Sequence, residues 1–234
     1  MNEKLIQQIK EKNREYFNFF DKIFCICGNK EVERWNHCKM QFEDIGIFNR
    51  VERLSDFPSS EKTWKEFNMP PCEYSHYRIL KSAIDDNLKN ILIFESDFHF
   101  INRDFNLLNK SIQKLKTLDW KLFYLGGNPR TTYGVVDDNL IKSSASGTHA
   151  YAVNGKCFEE VIKNLESFGN KFAIDQIYRR HRKFNFANYA YMTYPLFVVQ
   201  KDKKTEYQRT RNVLNKWKNR IQPMVDKYKE STDE

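Results

Sequence analysis

The stretch Ile91-Leu92-Ile93-Phe94-Glu95-Ser96-Asp97-Phe98-His99 constrains this chain more than any other. Four apolar residues in a row predict a short strand buried on both faces. Side chains alternate across an extended backbone, so Glu95 and Asp97 fall on one side, just past the strand's end. In open α/β sheets, ligands bind outside the carboxyl ends of the strands. Two acids there make an oxygen-rich site for Mg²⁺ or Mn²⁺, which can in turn hold a diphosphate. The plainer reading is a solvated strand-to-loop boundary.

The flanking chain supplies alternating elements. Residues 3–20 carry Leu5, Ile6, Ile9, Tyr16, Phe17 and Phe20 at helical spacing and predict an amphipathic helix. Lys22-Ile23-Phe24-Cys25-Ile26-Cys27 predicts a first strand, ended by Gly28-Asn29, and residues 31–42 return to helical spacing. A second strand is expected within 47–54, a loop at 55–60, and a helix over 75–90 with Ser75 as its N-cap. Residues 107–118 predict another amphipathic helix, and Leu122-Phe123-Tyr124-Leu125 a strand running into Gly126-Gly127. Residues 130–147 are rich in turn formers and are expected to form a loop near the site. Strand pattern returns at 148–153, and Asn154 can cap the helix that follows it. Asp175 opens a helix expected over 175–183, with Arg179, Arg180, His181 and Arg182, and a late strand within 189–200 is broken by Pro195. From 201 onward the chain is mostly charged and is expected to be a surface helix or tail. Alternating strands and helices predict a three-layer α/β/α domain with a mixed, mostly parallel sheet over 21–200. The N-terminal helix over 1–20 and a basic helical extension over 201–234 flank it.

With 234 residues the chain can bury a sizeable core, and 19 Phe and 12 Tyr exclude a disordered chain. The net charge of +8 attracts anions: nucleic acid, an acidic membrane surface or a nucleotide diphosphate. The five cysteines (Cys25, Cys27, Cys38, Cys72 and Cys157) are scattered and odd in number, which points to reduced thiols and a cytosol-like compartment. No apolar run reaches membrane-spanning length, and residues 1–15 lack a signal-peptide pattern. The expected location is cytoplasmic, with peripheral membrane contact through the basic C-terminal residues.

Several segments fall in an order that resembles glycosyltransferase family 25. These are Pro71-Cys72-Glu73-Tyr74-Ser75-His76, the Ile91 to Asp97 strand and its acids, Trp120-Lys121-Leu122-Phe123-Tyr124-Leu125-Gly126-Gly127, and Gly147-Thr148-His149-Ala150-Tyr151-Ala152-Val153. The first strand, with Arg34-Trp35 after it, is similar to the family's opening strand and arginine-bearing turn. The resemblance covers residues 21–200. It implies a GT-A fold, a UDP-sugar donor carrying galactose or glucose, a glycan or protein hydroxyl as acceptor, and Mn²⁺ or Mg²⁺. It matches Glu95 and Asp97 to an acidic metal motif usually reading Glu-Asp-Asp, with Ser96 in the middle place here. It matches Asp175, in Ala173-Ile174-Asp175-Gln176, to an acid on the acceptor side, a candidate general base that could equally be a helix cap.

Other candidates each carry an ordinary alternative. His149 is a third metal ligand or a satisfied core residue. His76 reaches the nucleotide from its helix or packs. Asn29 and Arg34 follow the first strand, where α/β folds bind nucleotides, though Arg34 could be a solvated helix charge. Gly126 and Gly127 allow close backbone approach. With Glu95, these residues complete the predicted donor-binding set. Two further classes compete: a GT-A-like domain that binds without catalysing, and a basic nucleic-acid module. The latter has little support, since only Tyr207, Trp217 and Tyr228 interleave the C-terminal charges.

Overall fold

A computed structural model of the chain describes residues 2–180, 186–201 and 208–232. The strands are β1 (Lys22–Ile26), β2 (Val51–Leu54), β3 (Asn90–Glu95), β4 (Phe98–Phe100), β5 (Leu122–Asp137), β6 (Leu140–Asn154), β7 (Ala190–Thr193) and β8 (Val198–Gln200). The helices are α1 (Glu3–Phe17), α2 (Val32–Ile45), α3 (Ser60–Phe67), α4 (Pro71–Asp85), α5 (Phe105–Leu115), α6 (Phe158–Phe168), α7 (Ile174–Arg180) and α8 (Gln208–Thr232).

All the strands join one eight-stranded sheet in the order β2-β1-β3-β6-β7-β5-β8-β4. The strand period sorts the core into two layers. Ile91 and Ile93 of β3 pack with Leu80 of α4, Val161 of α6 and Ile177 of α7 on one face. Leu92 and Phe94 pack with Phe42 of α2 and Ile112 of α5 on the other, where Phe17 of α1 also lies. Alternation along an extended strand is what feeds both layers from one short run. The chain is thus a three-layer α/β domain with helices on both faces of a mixed sheet.

The sheet is mixed rather than mostly parallel. Four of its strand pairings among the described residues are parallel and four antiparallel. β6 runs antiparallel to β3, β5 and β7, and β4 antiparallel to β8; part of this ladder is 130–147, expected as a loop. These residues form the outer arms of the β5–β6 hairpin, whose register shifts at five places. Glycines, Pro129 and half-exposed polar residues read as turn signals, yet here they belong to a bulged and twisted ladder.

One helix start differs from expectation, and one helix, α3, was not expected. Ser75 is not an N-cap: α4 begins with Pro71 at its first turn, where a missing N–H costs nothing, and the Ser75 hydroxyl donates to the Pro71 carbonyl at 2.7 Å. Within 55–74, α3 starts at a Ser59 cap that accepts from Lys62 N at 3.2 Å. The late strand is two, β7 and β8, on either side of Pro195. Of the helix expected over 175–183, Ile174–Arg180 is helical and 181–183 lie outside the described residues. The α8 helix is no free surface element, because Trp217, Ile221 and Val225 are buried in the first core. Among the described residues, no helix is long and apolar enough to cross a membrane.

Candidate active site

β3 points its C-terminal end at a cavity of about 270 Å³ whose lining includes Arg34, Cys72, Ser75, Glu95, Ser96 and Asp97. Alternation then distributes the three residues after Phe94. Glu95 turns toward α4, where its Oε1 lies 3.3 Å from His76 Nε2 and accepts a hydrogen bond from the Thr148 hydroxyl of β6. Burial pushes the Glu95 carboxyl up, but the His76 and Thr148 contacts outweigh it and hold the group below the usual range. His76 is fully buried, and its other ring nitrogen is 2.9 Å from the Tyr151 hydroxyl. That hydroxyl is in turn 3.4 Å from the hydroxyl of Tyr178 on α7. A polar chain therefore runs from α7 through β6 to the carboxylate that ends β3.

Ser96 faces the opposite helix layer. Its hydroxyl accepts from Arg34 Nη1 at 3.1 Å, and its carbonyl accepts from the Cys38 thiol at 3.5 Å. Arg34 also donates to Glu31 Oε1 at 2.9 Å, and Glu31 Oε2 accepts from Gly28 N at 2.9 Å. The serine thus fixes a guanidinium at the cavity wall, with further donors left for a ligand.

Asp97 lies between the acids' strand and the edge of the sheet. Its Oδ2 accepts from Gln200 Nε2 at 2.8 Å, and its carbonyl accepts from Lys201 N at 2.6 Å. Its Oδ1 is buried and has no hydrogen-bond partner among the described residues. Burial and the Glu95 charge raise its pKa, against the Gln200 hydrogen bond. A buried, unpartnered carboxylate oxygen is costly unless something is bound there, and a divalent cation is the partner it suits.

Asp175 sits in the first turn of α7, outside the cavity lining. Its Oδ2 accepts from Gly147 N at 3.0 Å. Gly147 has φ +78°, the left-handed region that glycine adopts without strain, and the next residue is the Thr148 that donates to Glu95. Asp175 is therefore linked to Glu95 through one turn of backbone. His149 is buried, and its pKa is pushed down to about 4 by that burial, against the pull of the Glu95 charge and the Val198 carbonyl. Neither of its ring nitrogens makes a hydrogen bond of good geometry among the described residues.

The structure brings Arg34, Glu95 and Asp97 together in the cavity lining, with His76 buried against Glu95, and leaves the other predicted residues outside the lining. Asn29 is exposed on the turn after β1, its N–H donating to the Ser55 carbonyl at 3.1 Å. Gly126 and Gly127 are spacers inside the sheet. A Cβ on Gly126 would lie 2.4 Å from the Val198 carbonyl oxygen, and one on Gly127 would lie 2.8 Å from Ala145 Cβ. The close approach seen at both is to neighbouring strands. Cys72, Thr148 and Gln200 were missed. Cys72 stands four residues before His76, a helical spacing that the sequence did display. Thr148 and Gln200 carry no local signal, since their partners lie 53 and 103 residues away.

No protein-family model matches the sequence, and no curated protein does. Among solved structures, the fold is similar to that of a glycosyltransferase involved in glycosylation of the major capsid of PBCV-1. That match has 14% identity over 82% of this chain and 97% of that one, with a TM-score of 0.47. A putative glucose-1-phosphate thymidylyltransferase from Bacillus anthracis, in complex with a sucrose, matches at 9% identity over 90% of this chain and 81% of that one, TM-score 0.47. The glycosyltransferase GlyE of Streptococcus pneumoniae TIGR4 matches at 9% identity over 92% of this chain and 60% of that one, TM-score 0.42.

Proposed function

We propose that the chain is a glycosyltransferase of the family 25 type, moving a hexose from a UDP-sugar to a hydroxyl of a glycan or protein with the help of a divalent cation. The observation that carries this reading is the buried Oδ1 of Asp97, without a hydrogen-bond partner among the described residues, at the cavity that Glu95 also lines. Glu95 and Asp97 would hold Mn²⁺ or Mg²⁺, and His149, kept neutral by burial and near the Glu95 charge, is a candidate third ligand. Such an ion supplies Lewis-acid stabilisation of the charge that develops on the leaving diphosphate. Arg34, held at the wall by Ser96 and Glu31, offers charge-assisted hydrogen bonds to the same diphosphate. His76 and Thr148 keep Glu95 ionised and aimed, and Asp175 serves the acceptor side. Exposed Lys216, Lys218, Lys227 and Lys229 on α8 suit an acidic or membrane surface.

A thermal-shift series with UDP-galactose and UDP-glucose, each with and without Mn²⁺, tests the proposal. A ligand at a hundredfold excess over its Kd adds about 2.7 kcal/mol of apparent stability. The Mn²⁺-dependent part of that shift is expected to vanish in Asp97→Asn, while the unliganded variant melts near the parent. Absence of a metal-dependent shift with any nucleotide sugar would sink the reading. Ser96, standing in an acid's place, favours one second reading, a GT-A-like protein that binds donor without turnover. Donor binding with no transfer to any acceptor would support it.

A further inference from the structure

Cys72 and His76 lie one turn apart on α4, on the side that meets the end of β3. The Cys72 Sγ, a ring nitrogen of His76 and a Glu95 carboxylate oxygen all lie within 4.8 Å of one another. We propose that Cys72, His76 and Glu95 form a binding site for a borderline-soft divalent cation, zinc above all, with its fourth position open to the cavity.

The spacing fits. Two nitrogen or oxygen ligands at tetrahedral zinc distances stand about 3.3 Å apart, and a sulfur stands about 3.6 Å from either. His76 Nε2 and Glu95 Oε1 are already 3.3 Å apart. The sulfur needs to close by about 1.2 Å at most to reach the tetrahedral separation, a shift that a turn of the exposed Cys72 side chain would supply. As the sulfur–metal bond forms, Cys72 releases its thiol proton to solvent, and the ion replaces whatever proton His76 and Glu95 share. The supporting shell is present too. Tyr151 meets the far nitrogen of His76 at 2.9 Å, and Thr148 donates to Glu95, so two of the three ligands are aimed before the ion arrives.

The donor set separates this site from the carboxylate pair. Thiolate and imidazole favour zinc over manganese and magnesium, which prefer oxygen. Three protein ligands with an open fourth place is the pattern of a site that admits water or a ligand, not of a closed structural one. Because Glu95 belongs to both sets, zinc and a cation on Glu95–Asp97 exclude one another. That exclusion rests on the proposed function; the zinc site does not.

Cobalt titration of the reduced full-length protein, without nucleotide, provides the test. Co²⁺ bound as proposed gives a thiolate-to-metal charge-transfer band in the near ultraviolet, which Zn²⁺ abolishes on competition. The band is expected in the parent and in Asp97→Asn. In Cys72→Ser it is expected to disappear, with Zn²⁺ affinity weakened by at least about 100-fold. No band in the parent, a band that survives in Cys72→Ser, or a band lost in Asp97→Asn would each overturn the assignment. Because no sugar nucleotide enters the assay, a failure here is separate from a failure of the transferase reading.

Discussion

Asp175→Asn is expected to lower sugar transfer by roughly two to four orders of magnitude, the usual contribution of a positioned general base. Mn²⁺-dependent donor binding should persist. The variant isolates chemistry from architecture because the amide oxygen can still accept the Gly147 N–H that Asp175 Oδ2 takes at 3.0 Å. The turn carrying Thr148 then keeps its shape, Glu95 keeps its hydroxyl donor, and stability should fall by about 1 kcal/mol or less. What the amide cannot do is accept a proton from an acceptor hydroxyl. Asp175→Ala removes both functions, so it should lose transfer and also weaken donor binding as the Gly147 turn relaxes. Initial rates with a fixed acceptor, alongside thermal shifts with donor, separate the two effects. Normal transfer by Asp175→Asn would reduce Asp175 to a positioning residue for the Gly147 turn.

Gly126→Ala is expected to destabilise the fold by about 3 kcal/mol or more, at or beyond the upper end of core overpacking. The added methyl would stand 2.4 Å from the Val198 carbonyl oxygen and 2.7 Å from Val198 Cβ. These neighbours belong to a buried strand, not to the flexible end of a side chain, so β5 and β8 must part. The damage should travel to the site, because β8 ends in the Gln200 that holds Asp97 Oδ2. Equilibrium denaturation should show the loss, and the metal-dependent donor shift should shrink with it. Gly134→Ala serves as a control, since a Cβ there meets nothing within 4 Å. A Gly126→Ala protein as stable as the parent would mean that β8 is free to retreat, and the spacer role would be wrong.

Much of the site was legible because it is local. The apolar run of β3 and its period of two fixed the strand, its burial on both faces and the division of Glu95 from Ser96 between two helix layers. Cys72 and His76 likewise displayed a helical spacing that α4 turns into a shared direction. The outer β5–β6 hairpin was not legible, because its residues are half exposed and its bulges use the same glycines and proline that mark turns. Gly126 looked like a residue kept open for a ligand; the neighbour that needs the room is a strand 72 residues later. Gln200 and Thr148 were invisible for the same reason, since periodicity reports the face a residue uses and nothing about a distant partner.

The pairing of β4 with β8 also sets an order of assembly. Phe98 and Phe100, directly after the acidic pair, are buried partly through a strand whose residues arrive about a hundred positions later in synthesis. Closing so long a span costs only modestly more than closing a short one, but closure cannot begin before the later strand exists. The Asp97 side of the cavity is therefore the last part of the sheet to be finished. A nascent chain stalled before Val198 would leave β4 without its strand partner, a short aromatic segment with unpaired backbone, the kind of surface that pairs with other copies. The same short strand that completes the site would then make an interrupted chain prone to aggregate.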